Sequence, residues 1–286
     1  MILTVDHVTT YRYAQPVRGV VQSHRLTPSV FDGQKVRDWS VTVSDGLKGG
    51  GFRDGAGDWV QSWSVLGPVS EITVTVRGTV ETQDLAGLLR GHKEGIPREA
   101  YLNDTAPTRV DAALAELARA AEGASGPLDA AHRLSAAVAA AIAYKPGATQ
   151  AHTTAAEALA LGEGVCQDHA HALIAVARRA DLPARYVSGY LMSGGDGSPG
   201  EAAHAWAEIW VQGLGWIGFD PANACCPDDR YIRLGSGLDA QDAAPIRGTA
   251  RGPAIVPLIS VGFSAPDLRA ATSFACRAFI SIDERS

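Results

Sequence analysis

The feature that most constrains the fold is a change in the spacing of apolar residues partway along the chain. Before about residue 85, apolar and polar residues alternate, as at Ile72, Val74 and Val76, which is the period of a half-buried strand. From about Pro107 the chain is Ala-rich and its apolar residues recur every three or four positions, which is the period of a helix. This change of period predicts an α+β protein in which an all-β region comes first.

The same change suggests how the chain is divided. We predict a β-domain at residues 1–90, a second domain at 105–250 and a C-terminal segment at 251–286 of uncertain structure. In that last segment, 253–263 fits one or two strands, whereas 265–286 has no clear pattern. With 286 residues, of which 46% are hydrophobic, the chain is long and apolar enough for two cores.

The second domain begins with helical patterns and ends with strand patterns. One helix is predicted from Cys166, since the apolar positions that follow it repeat at helical spacing. Strands are predicted at 185–191, 204–211 and 215–219, and a Gly-rich loop at 193–200 separates the first two. The prediction is therefore a set of helices packed on an antiparallel sheet.

Cys166 is the first candidate for chemistry, because it follows a glycine-flanked turn and begins a helix. Free backbone N–H groups and the helix dipole at such a position favour a thiolate over a thiol. The same N–H groups are able to hold an oxyanion as it develops during a reaction. The alternative is that Cys166 is a small buried hydrophobic residue, as most isolated cysteines are.

His204 and Asp220 are candidates for the groups that would assist this cysteine. His204 starts the strand after the Gly-rich loop, and Asp220 ends the next strand. A hairpin that turns at Gln212 and Gly213 would bring the two side chains together, and a carboxylate beside an imidazole fixes its tautomer. Taken alone, however, a histidine at a strand edge is more often structural.

Four segments, in this order, resemble motifs of bacterial transglutaminase-like proteins. They are Gly-Val-Cys-Gln-Asp-His-Ala-His at 164–171, Pro-Ala-Arg-Tyr-Val-Ser-Gly-Tyr at 183–190, His-Ala-Trp-Ala-Glu at 204–208 and Gly-Phe-Asp-Pro-Ala-Asn at 218–223. Thr-Thr-Tyr-Arg-Tyr at 9–13 and Arg-Leu-Thr-Pro at 25–28 are similar to the β-domain that precedes the core in this family. The resemblance covers roughly residues 1–250.

This resemblance implies a papain-like, transglutaminase-like core with a cysteine nucleophile. It implies Cys166 as the nucleophile, His204 as general base and acid, and Asp220 as the residue that orients His204. Two departures are Ala222, where the family usually has threonine, and the adjacent pair Cys225 and Cys226. The segment after residue 251 departs more, but the triad positions match.

Three further residues are weaker candidates for substrate binding or oxyanion stabilisation. Gln167 follows the nucleophile and carries an amide able to polarise an oxyanion. Trp206 lies on the same strand face as His204, where it is either a core residue or a wall of the acyl pocket. Tyr144 precedes the core and is a possible hydroxyl donor, by resemblance to upstream aromatic residues of animal transglutaminases.

No metal site is predicted. His169 and His171 are two residues apart on a helix, so their side chains point about 200° from each other and do not chelate one ion. Closed metal sites also need more ligands at recognisable spacing. Asp168, in the first helical turn, is interpreted as a capping carboxylate rather than a ligand. We expect no cofactor of any kind.

Charge and hydropathy exclude some partners. The net charge is −6, which does not fit a nucleic-acid-binding protein. No apolar run approaches the roughly 20 residues that span a bilayer, and the first residues lack the pattern of a secretory signal. We therefore expect a cytoplasmic protein that acts neither on nucleic acid nor in a membrane, and the sequence indicates no oligomeric state.

The predicted reaction is acyl transfer through a thioester. The substrate would be a peptide, a protein or a small amide, and transfer to water would make the protein a peptidase or amidase, which we favour. The alternative is transfer to an amine acceptor, as in a protein-glutamine transglutaminase or an amide ligase. A third hypothesis, of another class, is a non-catalytic binding or scaffold module on the same fold.

Overall fold

A computed structural model describes residues 1–192, 203–252 and 258–263. Its main elements are two antiparallel sheets and four α-helices. The strands of the first sheet are β1 (Ile2–His24), β2 (Gln34–Val43), β3 (Gly46–Arg53), β4 (Trp59–Thr82), β11 (Ile246–Arg251) and β12 (Leu258–Phe263). The strands of the second sheet are β7 (Ala184–Leu191), β8 (Ala203–Val211), β9 (Gly215–Phe219) and β10 (Tyr231–Gly237).

The first sheet is built around the long strands β1 and β4. Its order is β11-β1-β4-β2, with β12 also paired to β1 and β3 also paired to β4. The alternation at Ile72, Val74 and Val76 places all three side chains in the apolar core, as the sequence predicts. The two C-terminal strands therefore return to the N-terminal sheet.

The four α-helices lie between β4 and β7 in the sequence. They are α1 (Ala112–Leu117), α2 (Pro127–Ala141), α3 (Ala155–Leu161) and α4 (Cys166–Arg179). Thr154 and Glu157 cap the start of α3 by mutual hydrogen bonds, as the spacing of these residues predicts. The two-residue strands β5 (Ala143–Tyr144) and β6 (Glu163–Gly164) pair in parallel just before α4.

The second sheet, in the order β10-β7-β8-β9, supports α4 on one face. Residues of β8 alternate between faces, so Ala205, Ala207 and Ile209 pack in the same apolar cluster as the helix. The even-numbered residues of β8 lie on the opposite face, and they include His204 and Glu208. This strand consequently carries an apolar face and a face with polar groups.

The two sheets are joined through a shared apolar cluster. Tyr190, Ile232 and Leu234 of the second sheet pack with Leu26 and Trp63 of the N-terminal region. Because these side chains are buried together, the N-terminal sheet is packed directly on the β7–β10 edge of the second sheet.

The α+β architecture confirms the fold class predicted from the sequence. The strand predicted at 215–219 has those bounds, and the two before it begin one residue earlier than predicted. The predicted loop at 193–200 and the segment 265–286 lie outside the described residues, and the division into domains stays a prediction. Among the described helices, none has both the length and the apolar content needed to span a membrane.

Candidate active site

The candidate nucleophile Cys166 occupies the first position of α4, after the two-residue strand β6 and the extended N-cap residue Val165. A Cβ on Gly164 would lie 2.8 Å from the Cβ of Asp168, so glycine allows this side chain to approach the backbone that precedes the helix. Oδ2 of Asp168 accepts hydrogen bonds from the backbone N–H of Val165 at 2.8 Å and from the Thr149 hydroxyl at 2.6 Å. Burial raises the pKa of Asp168, and these two bonds oppose that rise. This geometry confirms Asp168 as a capping carboxylate.

His204 and Asp220 meet as the predicted hairpin requires. Strands β8 and β9 pair in antiparallel fashion, with Ala207 opposite Phe219, so that Asp220 follows directly on the end of β9. Nε2 of His204 lies 2.7 Å from Oδ2 of Asp220, and both side chains are buried. The bond fixes the orientation of the imidazole ring and occupies its Nε2 nitrogen.

His204 also forms a hydrogen bond with Cys166. Burial by itself lowers the pKa of His204, but hydrogen bonds to Asp220 and to Cys166, with the charges of both groups, raise it to about 10. Because Nε2 is bound to Asp220, Nδ1 is the nitrogen left for the sulfur. The three residues chosen from the sequence are thus brought together in the order cysteine, histidine, aspartate.

Two additional donors hold Asp220. Its Oδ2 accepts a hydrogen bond from Nδ2 of Asn223 at 2.7 Å and one from the hydroxyl of Tyr231 at 2.8 Å. Burial raises the pKa of Asp220, but the bond and charge of His204, followed by Asn223 and Tyr231, lower it below its usual value. The carboxylate is therefore kept ionised by three donors on one oxygen.

Tyr231 was not singled out from the sequence. It is the first residue of β10, eleven positions after Asp220. Its ring also packs edge-on against Trp206 at 5.5 Å and against His204 at 6.0 Å, measured between ring centroids. No local motif marks such a residue, because its contact with Asp220 depends on how β10 returns to the sheet.

The three weaker candidates have different surroundings. Trp206 is buried in a small apolar cluster and stacks on His204 with 6.4 Å between ring centroids, so it supports the imidazole from the core. Gln167 donates from Nε2 to the carbonyl oxygen of Ala151 at 3.0 Å. Tyr144 is about half exposed and pairs with Gly164 just before the nucleophile. A substrate role for each of these residues stays a prediction.

His169 and His171 face different partners, as expected from their spacing. The ring nitrogens of His169 lie 2.9 Å from the carbonyl oxygen of Val165 and 2.8 Å from that of Ile142. Nε2 of His171 accepts a hydrogen bond from the backbone N–H of Ala240 at 3.0 Å. Burial lowers the pKa of His171 to about 4, which fits a neutral structural residue.

A second cluster of charges lies farther along the same face of β8. Glu208 accepts from Nε of Arg185 at 2.7 Å and from Nε of Arg233 at 2.8 Å. Arg233 also bonds Asp58 at 2.8 Å, and Arg185 pairs with Glu94. Burial raises the pKa of Glu208, but Arg233 and Arg185 lower it to about 2. The cluster connects the second sheet to the N-terminal region and to the segment between them.

Comparisons with known proteins agree with this architecture. The Transglutaminase-like superfamily matches residues 115–221, and the Bacterial transglutaminase-like N-terminal region matches residues 3–81. An uncharacterized protein of Mycobacterium leprae is 30% identical over 262 residues, which cover 87% of this chain and 93% of that protein. The matched regions include Cys166, His204 and Asp220.

Two other proteins are similar in more limited ways. A protein-glutamine gamma-glutamyltransferase of Pseudomonas aeruginosa is 36% identical over 84 residues, or 27% of this chain and 12% of that protein. A crystal structure from Cytophaga hutchinsonii, named as a "Putative Cysteine Protease", has a TM-score of 0.66 at 17% identity and covers 96% of both chains. The second similarity concerns the fold alone. The chain belongs to the transglutaminase-like superfamily and carries the N-terminal region of its bacterial members.

Proposed function

We propose that this protein catalyses acyl transfer from a peptide or carboxamide bond through a thioester on Cys166. The observation that carries the proposal is the pairing of His204 with Asp220 on one side and with Cys166 on the other. An imidazole held in this way is able to exchange a proton with the sulfur while its orientation stays fixed.

The chemical steps follow from these positions. The Cys166 thiolate attacks the carbonyl carbon, and the new carbon–sulfur bond forms as the carbonyl electron pair moves to oxygen. The backbone N–H of Cys166 has no partner within the helix, because it lies in the first turn, and it donates to this oxyanion. When the oxyanion collapses, the carbon–nitrogen bond breaks and His204 gives its proton to the leaving amine. Asp220 remains ionised and stabilises the imidazolium.

The thioester is then released by a second nucleophile. We favour water, which His204 deprotonates as it attacks, so that the products are a carboxylic acid and the free thiol. The alternative is a primary amine, which would give a new amide. The partial similarity to a protein-glutamine gamma-glutamyltransferase supports this alternative, whereas the fold of the protein named as a cysteine protease is compatible with either.

Mass spectrometry of products separates the two outcomes. A mixture of glutamine-containing peptides would be incubated with the protein, with and without an added primary amine, and Cys166→Ala would serve as the control. Hydrolysis predicts cleaved or deamidated peptides in both samples. Transamidation predicts peptides that gain the mass of the amine less ammonia, and only when the amine is added.

A non-catalytic module is the competing hypothesis. It predicts that no Cys166-dependent product forms from any peptide and that the thiol of Cys166 reacts like an unassisted one. The complete set Cys166, His204 and Asp220, with three donors on Asp220, favours the enzyme, because a binding module has no need to keep a buried carboxylate ionised beside an imidazole.

A further inference from the structure

His169 occupies a position on α4 that the proposed reaction does not use. It is the third residue after Cys166, and its side chain is buried. Each ring nitrogen faces a backbone carbonyl oxygen, Nδ1 that of Val165 at 2.9 Å and Nε2 that of Ile142 at 2.8 Å. A carbonyl oxygen only accepts hydrogen bonds, and a neutral imidazole has a single N–H to donate. In the tautomer that carries this proton on Nδ1, the ring donates to the carbonyl of Val165.

The carbonyl of Val165 has a particular place in this site. It belongs to the same peptide group as the backbone N–H of Cys166, the group that holds the oxyanion in the proposed reaction. A hydrogen bond donated to the oxygen of a peptide group polarises that group, and the N–H on its other side becomes a better donor. It also fixes the plane of the peptide, and with it the direction of the N–H bond.

We propose that His169 is a positioning residue that aims and polarises the backbone N–H of Cys166 towards the oxyanion. The inference rests on the proposed function, because it assigns a role within acyl transfer. His169 acts through the peptide group that joins Val165 to Cys166, and it does not touch the substrate.

The contact with Ile142 gives this arrangement its rigidity. Ile142 directly follows α2, so the ring bridges the end of α2 and the start of α4. Asp168 holds the N–H of Val165. The residue before the nucleophile is thus bonded by first-turn side chains at both its N–H and its carbonyl, and the carbonyl also accepts from the backbone N–H groups of Asp168 and His169.

Two reagents distinguish an oxyanion effect from a general loss of reactivity. Acylation of Cys166 by 4-nitrophenyl acetate passes through an oxyanion, whereas alkylation by iodoacetamide displaces iodide at a saturated carbon and forms none. The ratio of the two rates therefore reports on the oxyanion site. A role limited to folding would change both rates together and leave the ratio unchanged.

Two amide variants each keep one N–H donor, and the two donors lie at opposite sides of the position that the ring occupies. Asparagine puts its N–H close to the position of Nδ1, and glutamine puts its N–H close to the position of Nε2. We expect His169→Gln, which keeps only the Ile142 contact, to lower the acylation rate about tenfold and the alkylation rate less than about twofold. His169→Asn, which keeps the Val165 contact, should retain an acylation rate within about threefold of wild type.

His171→Asn is the matched control, since His171 is a buried histidine on the same helix that bonds a distant backbone N–H. It should leave the ratio unchanged. Equal ratios in His169→Gln and His169→Asn, or parallel losses of both rates, would overturn the role of His169. If wild-type Cys166 reacts no faster than in His204→Ala with either reagent, the proposed function itself fails, and the inference fails with it.

Discussion

Two charged clusters lie on the same face of β8 and have different roles. His204, near the start of the strand, is paired with Asp220 and retains a second partner in Cys166. Glu208, four residues later, is enclosed by Arg185 and Arg233, and its carboxylate bonds both guanidinium groups. Both clusters are buried. The first, however, ends at Cys166, which is only partly buried and is therefore able to contact a substrate.

Burial and altered pKa values therefore do not by themselves mark an active site. Burial opposes both shifts, but hydrogen bonds and charges of its partners raise the pKa of His204 to about 10, and charges and hydrogen bonds of two arginines lower the pKa of Glu208 to about 2. The difference is that the Glu208 cluster is closed by the side chains of Arg185, Arg233, Asp58 and Glu94, whereas the His204 cluster ends at a nucleophile. We therefore expect changes in the first cluster to affect reactivity most strongly and changes in the second to affect folding alone.

The largest effect is expected for Asp220→Asn. The variant removes the charge that stabilises the imidazolium and leaves the ring free to adopt the wrong tautomer, so turnover of 4-nitrophenyl acetate should fall about 10³–10⁴-fold. The free energy of unfolding, measured with urea, should fall by no more than about 2 kcal/mol. Wild-type specific activity in the folded fraction of Asp220→Asn would contradict this assignment.

Glu208→Gln should show the reverse behaviour. The substitution keeps the shape of the side chain but leaves two buried arginines without their shared carboxylate, which costs about 3–5 kcal/mol of unfolding free energy. Glu116→Gln, at an exposed pair with Arg119, is the control and should not change stability measurably. Wild-type stability in Glu208→Gln would show that the cluster contributes nothing to folding.

The two clusters should also lose their contributions at opposite ends of the pH scale. The pKa of Glu208 is lowered from 4.5 to about 2, so its contribution is present above pH 4.5 and is lost as the pH falls towards 2. The pKa of His204 is raised from 6.5 to about 10, so its contribution is complete below pH 6.5 and is lost as the pH rises through 10.

Urea unfolding at a series of pH values tests this difference. His204→Ala should flatten the decline in unfolding free energy between pH 6.5 and 10, and Glu208→Gln should flatten the decline between pH 4.5 and 2. Parallel curves of unfolding free energy against pH for wild type and His204→Ala above pH 6.5 would show that the partners of His204 do not stabilise its protonated form.

The smallest effect is expected for Tyr231→Phe. The ring that packs on Trp206 and His204 is kept, and only the hydroxyl that donates to Asp220 is lost. Because a hydrogen bond to a charged group contributes about 1.5–3 kcal/mol, and Asn223 still holds the same oxygen, turnover should fall about tenfold or less. Tyr13→Phe removes another buried hydroxyl, on β1 of the N-terminal sheet, and should have no effect on turnover. Equal turnover in the two variants would remove Tyr231 from the site.

Much of the first cluster can be predicted from the sequence because its members lie at the ends of regular elements. Cys166 begins a helix, His204 lies next to the start of a strand, and Asp220 follows a strand that the sequence predicts with its observed bounds. A short hairpin then determines the contact between His204 and Asp220, which are only 16 residues apart. Local pattern and local geometry are sufficient for this pairing.

The second cluster cannot be found in this way. Arg233 and Asp58 are 175 residues apart, and their pairing depends on how the N-terminal sheet packs against β10. The return of β11 and β12 to β1 has the same origin, since no local period says which sheet edge a strand joins. Tyr231 was missed for this reason too, as its position follows from the pairing of β10 with β7.

The most direct test of an activated nucleophile is the rate of Cys166 alkylation by iodoacetamide, measured against pH in wild type and in His204→Ala. We expect fast labelling of the wild type that persists below neutral pH, and labelling in His204→Ala that is slow there and rises only at the alkaline pH of an ordinary thiol, near 8.5. Identical profiles in the two proteins, both rising near that value, would contradict an activated nucleophile and leave a transglutaminase-like fold without this chemistry.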